Sequence, residues 1–170
     1  MSWIGASVPR VEDPALLAGK GRFVDDLHMP NMVHAAFLRS PHAHARICGI
    51  DTAAASALPG VHTVLTNADL PPELRDHRLI LMVPNPALRY PVTAHTLAQG
   101  EVCFVGEAVA LIVADDRYIA EDAAELIEVD YDPLPVAADV LAAAAPGAAA
   151  AHADRPDNIA ADFPMTYGDV

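Results

Sequence analysis

Residues 102–135 read VCFVGEAVALIVADDRYIAEDAAELIEVDYDPLP, and the changes of periodicity along them decide the fold class. Residues 108–114 are apolar throughout, as expected of a central strand covered on both faces. Gly106 divides the approach into two strand-like pieces, 102–105 and 107–114. Glycine takes a positive φ without steric cost, so a tight turn or bulge is expected there. Asp115-Asp116 then caps a helix over 117–125, with Ile119, Ala123, Leu126 and Ile127 on one face. Glu121 and Asp122, early in that helix, suit its dipole. Ile127, Val129 and Tyr131 next alternate with Glu128, Asp130 and Asp132, the mark of a half-buried strand, which Pro133 closes.

The upstream half repeats this alternation. Residues 31–39, NMVHAAFLR, form a nearly continuous apolar strand whose two faces both expect cover, and Ser40-Pro41 interrupts it before extended structure resumes over 44–50. Asp51 caps a helix to residue 58 that turns Ile50, Ala54, Ala57 and Leu58 inward, and Pro59-Gly60 ends it. Residues 61–66, VHTVLT, are the next strand. Nearer the N-terminus, residues 13–18 read as a short helix with Asp13 as N-cap, Pro14 at its first position and Gly19 as its stop, followed by a short strand over 22–25.

Residues 67–100 hold no steady period and are punctuated by Pro71, Pro72, Pro84, Pro86 and Pro91, with one helical turn over 69–74. A loop of this length usually serves a contact or a site, so burial against a missing partner is expected. A last short helix is placed over 139–145. Residues 142–151 are almost all alanine around Pro146-Gly147 and read as a linker. The tail beyond has only Ile159, Phe163, Met165 and Tyr167 to bury, too little to offset the loss of about 1–2 kcal/mol of backbone entropy per residue, so mobility is expected from 142 onward. The expectation is an α+β domain over 1–141, a mixed sheet packed with two or three helices, and a separate segment over 142–170.

Apolar residues are 53% of the 170 and charged ones 19%, the profile of a folded chain. A formal charge of −13 argues against phosphate backbones and anionic membrane surfaces, leaving no nucleic-acid or membrane partner. The N-terminus lacks a charged region followed by an apolar stretch, and no run is long enough to span a bilayer, so the expected location is cytoplasmic. Cys48 and Cys103 both lie in apolar runs and are expected as buried, reduced thiols.

The sequence yields no self-sufficient active site. His42 and His44, with His34 and His28 nearby, form an HxH pair that would share one face of a strand. Zinc needs three or four ligands, and no neighbouring Cys, Asp or Glu has suitable spacing, so structural hydrogen bonding is the better reading. Gly19-Lys20-Gly21 follows a helix and precedes a strand, the reverse of a phosphate loop. Asp25-Asp26 and Asp115-Asp116 each point to opposite faces and are read as caps and turns. Ser40 and Ser56 lack a nucleophile–base signature. No catalytic, cofactor-binding or metal-ligating residue is therefore assigned.

Several motifs carry a resemblance. Arg10-Val11-Glu12-Asp13-Pro14, Leu16-Leu17-Ala18-Gly19 and Arg22-Phe23-Val24-Asp25-Asp26 come first. Phe37-Leu38-Arg39-Ser40-Pro41-His42-Ala43-His44-Ala45-Arg46-Ile47, Asp51 and Pro59-Gly60-Val61 follow. Val105-Gly106-Glu107, Val109-Ala110, Ala120, Asp122-Ala123-Ala124-Glu125 and Val129-Asp130-Tyr131-Asp132-Pro133-Leu134-Pro135 complete them. In this order, over most of residues 9–140, they resemble the opening hammerhead domain of the molybdenum-binding large subunit of the xanthine dehydrogenase / aldehyde oxidase / carbon monoxide dehydrogenase family.

That resemblance implies a hammerhead-like fold in a subunit whose molybdopterin-type cofactor lies in later domains. It also implies electron-carrying partners with FAD and 2Fe-2S centres. Pro156-Asp157-Asn158-Ile159-Ala160 and Gly168-Asp169 resemble the approach to those later domains. The implied role is structural and in subunit contact within a molybdenum hydroxylase (aldehyde, N-heterocycle or carbon monoxide oxidation), with no cofactor in this chain and no catalysis alone. The other readings are a free-standing protein-binding module of the same fold and a small metal-binding protein centred on the histidines.

Overall fold

A computed structural model describes residues 4–80, 85–90, 93–155 and 157–168. Residues up to Met32 form one compact unit and those from Val33 another. Pro84, Pro91, Pro156 and Asp169, which figured in the reading of the loop and tail, lie outside the described residues.

In the first unit, helix α1 spans Asp13–Leu17, and Glu12 rather than Asp13 is its N-cap. Asp13 instead turns back to accept the Arg10 N–H at 3.2 Å. Gly19, at φ +67°, ends the turn as expected. The strand expected over 22–25 is a 3-10 turn at Val24–Asp26. Its cause is local: the Asp26 carboxylate accepts the Phe23 N–H at 2.8 Å, which curls the chain before it can extend.

The second unit holds six strands and four helices among its described residues: β1 His34–Arg39, β2 Ala45–Asp51, α2 Ala53–Ser56, β3 Val61–Thr66, α3 Pro72–Arg75, β4 Glu101–Val102, β5 Ala108–Ala114, α4 Arg117–Glu125, β6 Glu128–Pro133 and α5 Val140–Ala143. They make two antiparallel three-stranded sheets, β1-β5-β3 and β4-β2-β6, rather than one mixed sheet. The class is α+β, as the alternation of periods predicts. β5 is central, with Ile112 opposite Ala36 on one side and Val64 on the other.

α4 packs on β1 and β5, and α2 packs on β3 and α4. Asp116 caps α4 by accepting the Ile119 N–H at 2.9 Å. The inward stripe of α4 is Ile119, Ala120, Ala123 and, just past its end, Ile127, whereas Leu126 is 41% exposed. α2 is shorter than expected, with Thr52 as N-cap, and it buries Ala55 instead of Ala54 and Ala57. Asp51 remains the last residue of β2 and accepts the Ala53 N–H. β1 alternates half-buried and exposed residues, so one of its faces is open, contrary to the cover expected on both.

Ser40 joins the sheets. Its N–H donates to Glu107 O at 2.9 Å, and its carbonyl accepts the Gly106 N–H at 2.8 Å. The side chain closes the turn on His42, and Pro41 ends the β1 ladder because it has no N–H to donate. Gly106 has φ +90° with open space where a Cβ would project. Its carbonyl also accepts the Arg39 guanidinium at 2.8 Å. Gly106→Val should therefore carry mainly the left-handed backbone penalty, about 1–2 kcal/mol in urea denaturation. A midpoint equal to the parent chain would show that the glycine is not conformationally required.

The long loop over 67–100 finds its partner within the chain. Arg89 N–H donates to Ala160 O, and Leu88 bridges Ala161. Arg89 also pairs with Asp157, Arg78 with Asp154, and Arg155 lies over the Tyr90 ring at 4.5 Å. The alanine-rich stretch is closed by Asn158, whose Nδ2 donates to Ala143 O and Ala149 O while its Oδ1 accepts the Ala151 N–H. The tail's bulky residues Phe163, Met165 and Tyr167 stay exposed. Hydrogen bonds and ion pairs thus tie down the described chain beyond residue 142, a kind of anchor that a search for large apolar side chains passes over.

Candidate functional site

The side chains with chemical potential gather where β4 meets the tail. β4 pairs with β2, Arg46 opposite Glu101 and Ala45 opposite Val102, and this fixes Glu101 at the edge of the second sheet. The Glu101 carboxylate accepts the Ala153 N–H at 3.1–3.2 Å and lies 3.5 Å from His44 Nε2. His44 is 7% exposed. Its Nδ1 sits 2.8 Å from Pro135 O, an acceptor, so Nδ1 carries the proton there, and its buried Nε2 makes no hydrogen bond.

Cys103, one residue past β4, donates its N–H to the Glu107 carboxylate at 2.6 Å, and its Sγ is 3.1 Å from His152 Nδ1. Burial, reinforced by the negative charges of Glu101 and Glu107, pushes the Cys103 thiol up to about 12. Burial likewise lowers His152, with Arg155 adding to the effect. At neutral pH the pair is therefore a neutral thiol beside a neutral imidazole, which is no nucleophile. Glu101, Cys103 and His152 bring one ligand atom each within 4.8 Å of one another.

Glu107 is 6% exposed, and burial raises its carboxyl against the opposing pull of its hydrogen bonds from the Cys103 and Phe104 backbone. A carboxyl with a raised folded pKa contributes stability that is present below its unfolded pKa and lost as pH rises through the folded value. Glu107→Gln should therefore gain stability over the parent chain as pH rises from 4 to 7, and the gain should vanish at the acid end. Urea midpoints of both chains across that range check it; a constant difference would exclude titration of Glu107 as the cause.

The sequence candidates fall elsewhere. His42 and His44 lie in a bend before β2, not on a strand. His42 rests on the Tyr131 ring at 4.8 Å, His44 points to Pro135 and Glu101, and His34 opens β1 in the other sheet. Lys20 sits in the turn after α1. Asp116 is the helix cap foreseen, but Asp115 pairs with His62 at 2.8 Å. Ser40 closes a turn, and Ser56 is exposed on α2. Cys48 is exposed and Cys103 half-buried, against the expectation of two buried thiols; Cys48 falls with Arg46 on the exposed side of β2, alternating with Ala45 and Ile47 on the covered side. The missed residues, Glu101 and His152, left little trace. Glu101-x-Cys103 spacing is the one local signal, because alternate residues near a strand share a side.

Two antiparallel sheets joined at a serine turn, with a helix across the first, make an α+β domain of hammerhead type. The chain matches the family described as aldehyde oxidase and xanthine dehydrogenase, a/b hammerhead domain, over residues 18–135, and it belongs to that family. It is 47% identical over 156 residues to the carbon monoxide dehydrogenase large chain of Afipia carboxidovorans, covering 92% of this chain and 18% of that one. It is 40% identical over 168 residues to the nicotine 6-hydroxylase large subunit of Paenarthrobacter nicotinovorans, covering 98% and 20%. Among solved structures, the carbon monoxide-reduced Cu,Mo-CO dehydrogenase superposes with a TM-score of 0.76 at 42% identity, covering 95% of this chain and 19% of that one. The chain thus spans about a fifth of the length of these relatives.

A molybdenum–pterin group does not fit the residues described here. The cleft of about 370 Å³ between Arg46, Arg78, His95, Gln99, Glu101 and Asp154 is open, and its cations are engaged. Arg78 pairs with Asp154 and Arg46 with Asp132, so each guanidinium already faces a carboxylate, whose charge opposes that of a pterin phosphate. Among the described residues, no helix is long and apolar enough to cross a membrane.

Proposed function

We propose that this chain is the N-terminal structural and subunit-contact domain of a molybdenum hydroxylase large subunit oxidising an aldehyde, an N-heterocycle or carbon monoxide. One observation carries the reading: the match to the carbon monoxide dehydrogenase large chain covers 92% of this chain but 18% of the relative. In this reading the molybdenum cofactor is held by the remaining part of the large subunit, and iron–sulfur and flavin subunits take the electrons, in the cytoplasm. Residues 1–141 are the hammerhead domain proper, and 142–170 lead toward the molybdenum-binding region. The chain has no catalytic residue of its own and is inactive alone.

An exposed patch supports the contact role. Phe37, 47% exposed on the open face of β1, lies under the Arg39 guanidinium, which reaches the Gly106 carbonyl; Phe104 and Val105 beside that turn are 51% and 64% exposed. Aromatic residues with an arginine are the composition of interface anchors.

Co-expression tests the assignment. The probe is the Afipia carboxidovorans large chain with its own matching segment deleted. A one-to-one complex on size exclusion, weakened by Phe37→Asp, is the expected result. A chain that elutes alone beside the folded remainder would favour a free-standing binding module instead.

A further inference from the structure

We propose that Glu101, Cys103 and His152 bind one zinc ion, through the Glu101 carboxylate, the Cys103 thiolate and the His152 imidazole, with water as the fourth ligand. Three protein ligands of mixed S, N and O type plus an open position suit Zn2+, and the sulfur disfavours Mg2+ and Ca2+. The three ligand atoms already lie within 4.8 Å of one another. Bond lengths of about 2.3 Å to sulfur and about 2.0 Å to nitrogen, at a tetrahedral angle, imply an S···N separation of about 3.5 Å. The observed 3.1 Å would need to open by only about half an ångström.

The surroundings are those of a supported ligand set. Glu101 is oriented by the Ala153 N–H. The buried His44 Nε2, which makes no hydrogen bond, lies 3.5 Å from the same carboxylate. An open cleft lined by Glu101, Ala153 and Asp154 reaches the site at its carboxylate ligand. Binding exchanges the Cys103 thiol proton, released to solvent, for the Zn–S bond; nothing is oxidised or reduced. Its consequence is mechanical. Glu101 lies on the β4 edge, Cys103 just past it and His152 in the tail, 49 residues beyond Cys103, so the ion would clip the tail to the second sheet.

The experiment adds Zn2+ to the reduced, chelator-stripped full chain by equilibrium dialysis. One ion per chain is expected, with affinity falling at least tenfold in Cys103→Ser and in His152→Ala and unchanged in Cys48→Ser and His42→Ala. Co2+ in place of Zn2+ should give a thiolate-to-metal charge-transfer absorption that Cys103→Ser abolishes and Cys48→Ser keeps. Should the variants fail to fold, the unaltered chain still decides: Zn2+ should slow alkylation of Cys103 by iodoacetamide at least tenfold and leave the exposed Cys48 unprotected. Equal alkylation of Cys103 with and without Zn2+, or the same Zn2+ affinity in folded Cys103→Ser, would overturn the proposal and leave a hydrogen-bonded thiol–imidazole pair.

Discussion

Ile112→Ala is expected to remove about 2–5 kcal/mol of stability, near the upper end of that range. Ile112 is fully buried at the centre of β5, and the buried cluster around it is Ala55, Ala110, Ala114, Ala120, Ala123 and Ile127. A cavity is costly in proportion to the volume its neighbours fail to refill. Here most of those neighbours are alanines, whose methyl groups move only with the backbone. Strand pairing on both sides holds the backbone in place. Urea unfolding at equal slope measures the loss. A value under about 1 kcal/mol would mean that Ala36, Val64 and α4 collapse onto the site, and that the core is softer than its alanine content implies.

Gly60→Val should cost about 2–4 kcal/mol, more than the same change at Gly106, although both glycines have φ near +90°. The backbone penalty is shared and amounts to about 1–2 kcal/mol. The difference is space. A Cβ at Gly60 would stand 2.8 Å from Ile119 Cδ1 and 3.3 Å from Asp115 Oδ2, whereas at Gly106 nothing lies within 4 Å. The Gly60 carbonyl also accepts the Asp115 N–H at 2.9 Å, so the turn between α2 and β3 cannot swing away without loosening the start of α4. A double-mutant cycle with Ile119→Ala separates the terms. Relief of the steric part should make the pair less costly than the sum of the singles. Strict additivity would show that the strain is confined to the Gly60 backbone.

The elements with the plainest periods were legible in the sequence. β3 and α4 run over the residues their patterns mark, and β5 is central because seven apolar residues in succession need cover on both faces. The sharp glycine at 106 and the cap at Asp116 follow from local chemistry, and both hold. Where local chemistry has rivals, the reading slipped. The 22–25 strand gave way to the Asp26 side chain, and the pair of α2 residues expected inside lost to Ala55, because four residues are too few for a helical period to show.

The order of motifs along residues 9–140 was sufficient by itself to indicate the hammerhead family and an α+β chain with a sheet of alternating strands. The tertiary structure decided the rest. It split the strands into two antiparallel sheets, because Ser40 and Pro41 break the β1 ladder and hand the chain to a second partner. It also tied the tail to the long loop through Arg78 and Arg89, closed the alanine-rich stretch on Asn158, and brought Cys103 to His152 across 49 residues. Periodicity reports which face of an element is apolar, and so reaches only as far as the element itself. Polar contacts between distant loops leave no period, so folding alone reveals them.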